Sequence, residues 1–316
     1  MKSFIIKIIL LLLLPLVIII SVSLVIPPSK AFQKNLLYAQ IDKNELLKKV
    51  SNPRIILVGG SNLSLGLDSK RIRDSMNINV INTGVEFALG IKYMLRATSG
   101  FIKKGDIIII SPEYHQFFGD FAYGETELLY TTIDVLPQTS KYLDLYQCYK
   151  LIPFMPTYIQ SKFKGLFEES DNDTTIGVYD RKSFNTFGDA IIHWKMRKKE
   201  IPPFPIKGNI NNDVFVELNN FREIVDAKKA MLLITFPCFQ DLSFAKSSVK
   251  IKEVELILRK NGFNLLSNPE RYVFPDSLTF DTPYHLTKKG VDLRTTLLIQ
   301  DIRKVVDTNN AMKICN

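Results

Sequence analysis

Short, largely apolar runs recur along the chain, at residues 54–58, 78–81, 107–110, 230–235 and 263–266, all but the fourth closed by glycine, asparagine or serine. They are continuous rather than alternating, which suits parallel strands covered on both faces. Helical patterns separate them. Asp68-Ser69 can cap a helix running to Met76, residues 89–102 are amphipathic and closed by Gly105-Asp106, and further helices fit about 220–229 and on to Lys260. A last helix starts near Thr287, with Val291, Thr295, Leu298, Ile302 and Val305 on one face. Alternating β and α units predict an α/β fold: three layers, doubly wound, around a mainly parallel sheet. From about 116 to 220 the alternation stops. That length, with a polar stretch at 168–175 and a proline-rich turn at 201–205, reads as an insertion with its own helices. Sites in such sheets form beyond the carboxyl ends of the strands, where Ser61, Gly84 and Glu113 fall.

The amino terminus has a different pattern. From Ile8 to Ile26 every residue is apolar except Pro15, Ser21 and Ser23, with Lys2 and Lys7 ahead of the run. At ~1.5 Å rise per residue the run is long enough to cross a hydrocarbon layer of roughly 30 Å. Ser21-Val22-Ser23 imitates a signal-peptide cleavage site, but Leu24-Val25-Ile26 continues the apolar run past it. The expectation is therefore an uncleaved anchor over residues 1–28, a linker or stalk over 29–53, and the α/β body over 54–316. Lys2 and Lys7 favour a cytoplasmic amino terminus and an extracytoplasmic body, with Lys30 and Lys34 weakening the asymmetry.

Charge adds less. The net charge of +9 is dispersed lysine, with no basic run interleaved with aromatics, so a nucleic-acid footprint is not expected. The three cysteines, Cys148, Cys238 and Cys315, are widely separated, with neither zinc-type spacing nor a disulfide framework.

The candidate chemistry lies at the two ends of the body. Residues 54–58 run straight into Gly59-Gly60-Ser61-Asn62, which presents a serine where a strand ends, and Asp281-Thr282-Pro283-Tyr284-His285 precedes the last helix. A serine needs a base to take its proton, and the base needs an acid to orient it, so this pairing points to acyl-transfer chemistry. The ordinary alternatives are a turn serine capping a helix for Ser61 and a backbone-contacting residue for His285. Leu63 stands where a lipase-type elbow needs its last glycine, and no Gly-Lys-Ser/Thr is present for a phosphate loop. Of the three histidines, His115 can also reach the site, whereas His193 beside Trp194 reads as packing or surface. Arg181, Asn185 and Asp189 in the insertion read first as a structured turn and second as the wall of a sugar site, and Thr235-Phe236-Pro237 as a possible cleft edge.

Gly60-Ser61-Asn62, then Asn82-Thr83-Gly84, then the late Asp281/His285 pair resemble three blocks of the SGNH (GDSL-type) hydrolases. With the apolar amino terminus and Ser111-Pro112-Glu113, the chain is most similar to membrane-anchored members of envelope-polysaccharide acylation type, the alginate-acetylation and D-alanyl-lipoteichoic-acid-like proteins. The resemblance implies a flavodoxin-like sheet, Ser61 as nucleophile, His285 as base and Asp281 as the orienting acid. It implies an ester hydrolase or O-acyltransferase acting on an acylated glycan, with a membrane-bound O-acyltransferase as a possible partner and no metal or organic cofactor. The chain departs from the pattern twice. Asp281 lies four residues before His285 rather than three, and Glu113 stands near the place of an oxyanion-hole asparagine. The Ser61 and Gly84 amides would then hold the oxyanion, and an ionised glutamate beside them would repel it. Either Glu113 is protonated, or Asn62 or a water supplies the third donor. These departures leave open a second expectation, a non-catalytic module of the same fold that binds glycan or assists a membrane acyltransferase or exporter.

Overall fold

A computed structural model describes residues 2–167 and 175–314, apart from some side chains of the first and last helices. Its centre is a sheet of four parallel strands, β1 (Arg54–Gly59), β2 (Asn79–Asn82), β3 (Ile107–Ser111) and β4 (Met231–Ile234), in the order β2-β1-β3-β4. The expected strand at 263–266 is reduced to a parallel bridge of Leu265 to Ile234, closed by Leu266 N–H donating to the Ile234 carbonyl at 2.9 Å. A separate parallel pair, β5 (Phe239–Gln240) with β6 (Val273–Phe274), stands apart.

Side-chain alternation divides the core in two. Ile56, Val58, Ile108, Ile110 and Ile234 pack with Leu47, Leu95, Val214 and Leu218 on one face, while Ile55, Leu57, Ile109 and Leu233 pack with Ile72, Leu298 and Ile302 on the other. Helices Ala39–Lys49, Ile91–Ser99 and Asn212–Ala227 supply the first cover, and Ser69–Met76 and Lys288–Ile314 the second. Both faces are buried, which is why the strands carry no polar alternation. The Asp68 carboxylate accepts the Arg71 N–H at 3.1 Å, so the expected helix cap is in place. At the amino end of the sheet Arg54 and Asp106, both fully buried, form a 3.1 Å ion pair joining β1 to the turn before β3.

Two expectations change. The segment read as a stalk belongs to the body, because Leu36, Leu37, Ala39 and Leu47 are buried in it. The insertion does carry helices, at Thr126–Tyr130, Leu145–Leu151 and Met155–Gly165, but helix Asn212–Ala227 starts before its expected end. The apolar amino-terminal run lies within helix Lys2–Val25. Part of it falls outside the residues whose side chains are described, and among the described residues no helix is long and apolar enough to cross a membrane.

Candidate active site

The chain leaves β1, forms β2 on one side of it, then crosses to form β3 on the other. The gap between the carboxyl ends of β1 and β3 is where such sheets open a crevice. Ser61 follows β1 and Glu113 follows β3, and both line a cavity of about 440 Å³ at that edge. Asp281 and His285 line it from the opposite side, and Ile201, Pro202, Pro203 and Phe204, from the proline-rich turn of the insertion, wall it.

Asp281 and His285 are paired. Asp281 Oδ1 lies 2.8 Å from His285 Nδ1 despite the extra residue between them. A tight turn absorbs it: Phe280 N–H donates to the His285 carbonyl at 2.8 Å, and His285 N–H to the Thr282 carbonyl at 3.2 Å. The second oxygen of Asp281 accepts the Tyr179 hydroxyl at 2.6 Å. These two hydrogen bonds and the imidazole hold the Asp281 carboxyl below its usual range against the effect of burial. With Nδ1 engaged, Nε2 is the nitrogen left to exchange a proton.

Ser61 is not bonded to His285. Its hydroxyl donates to Glu113 Oε1 at 3.4 Å, and the same oxygen accepts the Asn62 backbone N–H at 3.0 Å. Burial pushes the Glu113 carboxyl up, opposed by the Asn62 backbone N–H and by the nearby His285. Gln116 fixes this loop, accepting the Glu113 N–H at 3.1 Å and donating to the Phe87 carbonyl at 3.0 Å.

The other two residues expected as oxyanion donors are engaged elsewhere. The Gly84 N–H donates to Asn82 Oδ1 at 3.0 Å, and Gly84 does not line the cavity. Its lack of a side chain serves packing, since a Cβ there would lie 2.5 Å from the Gly60 carbonyl oxygen. The Asn62 side chain is fully buried beneath the serine turn, donating to the Ser111 carbonyl at 3.1 Å and accepting from Arg294 at 2.9 Å. Arg294, buried on the last helix, also donates to the Asn62 carbonyl, so it braces the turn from behind.

His115 reaches the cavity wall rather than the serine: Nδ1 lies 2.8 Å from the Tyr284 hydroxyl, and the ring stacks on Phe204 at 4.3 Å. Burial pushes it down to about 4, which removes it as a proton acceptor near neutrality. His193 is buried against Phe280 and pushed down to about 4 by burial. Arg181 pairs with Asp42, and Asn185 and Asp189 form a structured turn, so none of the three lines the cavity. Thr235 and Phe236 are buried away from it as well.

Three contributors carried no sequence signal. Tyr179 reaches Asp281 across a separation of 102 residues. Glu86 lines the cavity and is pushed up to about 7, first by burial and then by the Glu113 charge. Lys43 sits behind the β2 turn, donating to the carbonyls of Gly84 at 2.5 Å, Gly188 at 2.6 Å and Asn82 at 3.0 Å. Among the described residues no cluster of His, Cys, Asp and Glu has metal-binding geometry. No protein-family model matches the chain, and no curated protein matches it.

Proposed function

We propose that this chain is an SGNH-type serine acyl-transfer enzyme, an ester hydrolase or O-acyltransferase, on a doubly wound, flavodoxin-like sheet. One observation carries the reading: Ser61 and an Asp281-oriented His285 open onto a single cavity at the crevice between β1 and β3. Ser61 Oγ rotates from Glu113 toward His285 Nε2, gives up its proton there and attacks an ester carbonyl. Collapse of the tetrahedral adduct returns that proton to the leaving sugar oxygen and leaves an acyl-serine. Water or another sugar hydroxyl, deprotonated by the same imidazole, releases the acyl group. Asp281 keeps the ring in the tautomer this needs and stabilises its charged form. Protonated Glu113 joins the Ser61 N–H as a donor in place of an asparagine, its carboxyl held beside the serine turn by the Asn62 N–H.

An acylated envelope glycan is the proposed substrate. The run from Ile8 to Ile26 is the proposed anchor, with the body on the extracytoplasmic side. Retention of the intact chain in membranes through alkaline washing, and digestion of the body by protease added to spheroplasts, test the anchor and its orientation.

A second reading has its own support. Glu113 takes the Ser61 hydroxyl, and the Gly84 N–H is engaged with Asn82, as in a binding module that has lost turnover. A fluorophosphonate probe separates the two. Labelling that disappears in Ser61→Ala supports the enzyme. No labelling of folded wild type, or equal labelling of both forms, supports the module.

A further inference from the structure

Helices Leu145–Leu151 and Met155–Gly165 and the short turn Ile152–Phe154 follow one another with no intervening loop. They carry an apolar face that, among the described residues, is touched only at its edge, where Tyr146 meets Tyr123. Leu145 is 90 % exposed, Tyr149 64 %, Ile152 60 % and Tyr146 49 %, and positions 145, 149 and 152 recur at helical spacing on one side. Elsewhere the same helices bury their partners normally: Gln147, Leu151 and Tyr158 face inward. Exposed residues scattered singly need no explanation, but a contiguous aromatic and aliphatic face does.

The position of this face suggests what covers it. Helix Met155–Gly165 packs against helix Lys2–Val25, and Gly165 lies so close to Ser29 that a Cβ would approach the serine Cβ to 3.1 Å. A helix of that length spans ~16 Å at ~1.5 Å per residue and the turn Ile152–Phe154 adds ~6 Å at ~2 Å per residue, so along the chain the exposed face begins roughly 20 Å from the contact of Gly165 with Ser29. No free stalk intervenes, because Leu36, Leu37 and Leu47 are buried in the core. The composition is that of a lipid–water boundary: tyrosines with an apolar body and a polar tip, flanked by lysines. Lys150 lies 5.3 Å from the Tyr146 ring centroid while paired with Asp120 at 3.0 Å, and Lys141 and Lys164, before and after the face in sequence, are exposed.

We infer that this face, Leu145, Tyr146, Tyr149 and Ile152, lies in the headgroup layer of the bilayer and seats the body directly on the membrane surface. The inference rests on the anchor reading above and goes beyond it, since an anchor alone leaves the orientation of the body free. Apolar side chains entering the acyl boundary and lysines meeting anionic headgroups then act together.

Cys148 lies on the same helix, is exposed, and gives a direct probe, while Cys238 is buried. The test uses the full chain carrying Cys315→Ser, one copy per nanodisc of phosphatidylglycerol and phosphatidylethanolamine. Cys148 is labelled with an environment-sensitive fluorophore and challenged with lipids spin-labelled near the headgroup. Leu14→Cys in a Cys148→Ser background reports on the anchor, and Leu256→Cys in that background, on an exposed helix elsewhere, reports on open solvent. The expected result is a blue shift and loss of emission at position 148, none at 256, and reversal at 148 when Tyr146, Tyr149 and Ile152 are all changed to serine. These side chains are exposed, so the triple variant keeps its fold. Lipid contact at position 14 with a solvated probe at 148 overturns the seating and leaves the anchor standing, and solvated probes at both overturn both. Shielding at 148 without lipid quenching, present only with two copies per disc, assigns the face to a second copy and also overturns it.

Discussion

Glu113 Oε1 accepts the backbone N–H of Asn62 at 3.0 Å and the Ser61 hydroxyl at 3.4 Å, which places its carboxyl beside the atom where the proposed reaction would build an acyl oxyanion. An ionised carboxylate there competes with the oxyanion, whereas a protonated one donates to it. The pH dependence of turnover follows. Glu113 must carry its proton, so activity falls as pH climbs through its raised pKa. Glu113→Gln keeps a donor and removes the charge, and the expected outcome is loss of the alkaline limb in a kcat/KM profile with an aryl ester. Glu113→Ala removes the donor altogether and should cost about 10²–10³ in rate. An unchanged alkaline limb in Glu113→Gln would show that Glu113 is not the titrating group.

The Asp281 carboxylate serves two donors, and its variants should separate them. Asp281→Asn allows the wrong imidazole tautomer and should slow acylation by about 10⁴. Tyr179→Phe removes the 2.6 Å hydrogen bond to the second oxygen and the 3.4 Å contact with His285 Nδ1, a loss of about 1 kcal/mol or roughly several-fold in rate. Rapid-quench labelling with the fluorophosphonate probe reads both. Equal losses from the two substitutions would mean that Tyr179 contacts the reacting atoms itself.

The sheet was legible because β1, β3 and β4 are unbroken apolar runs, and only burial on both faces explains runs of that kind. The run expected as a strand at 263–266 is interrupted by Asn264, and in the structure only Leu265 bridges to β4. Ser61, Asp281 and His285 were legible because a strand end and a helix start fix them locally. Their surroundings were not. Tyr179, Phe204 and Lys43 reach the site through folding of the insertion and helix Ala39–Lys49, whose contacts with 281, 115 and 84 leave no periodic trace in sequence. The engagement of Gly84 with Asn82 was hidden for another reason: an asparagine two residues before a glycine is a common turn, and only coordinates show which way its carbonyl points.

Glu86 makes a stability prediction. Its carboxyl is pushed from 4.5 up to about 7 by burial and by Glu113, with His285 opposing. Between those values the folded chain keeps a proton that the unfolded chain releases, so this group's contribution makes stability fall as pH rises through that window, then level off. Glu86→Gln retains an acceptor for the Phe87 N–H, which Glu86 now takes at 2.8 Å, and cannot ionise. It should leave stability unchanged near pH 4 and raise it by about 1–3 kcal/mol at pH 8. Thermal melts of both proteins across that range check it. A variant less stable than wild type at pH 8 would mean that the charged carboxylate is favoured in the fold.

Lys43 makes the last prediction, and it links helix Ala39–Lys49 to the site. Its ammonium has three protons, and three carbonyls take them: those of Asn82 and Gly84 in the β2 turn and of Gly188 in the insertion. The insertion is clamped a second time by Asp189, which accepts the Ser69 N–H at 2.8 Å, the Ser69 hydroxyl at 2.6 Å and Asn82 Nδ2 at 2.8 Å. Asn82 is thus held from both sides, and through its contact with Gly84 it fixes the turn packed behind Ser61. Lys43→Met has similar volume and no donor. It leaves three buried carbonyls short of a partner at about 1–3 kcal/mol each, although water entering from the neighbouring groove lined by Lys43 and Thr83 can relieve part of that. A net loss of about 3 kcal/mol in denaturant unfolding is expected, with slower fluorophosphonate labelling of Ser61 under conditions where the variant stays folded. The labelling rate is the decisive measurement. If it matches wild type while stability drops, Lys43 supports the fold alone and the serine turn is held by Asn62 and Arg294 without it.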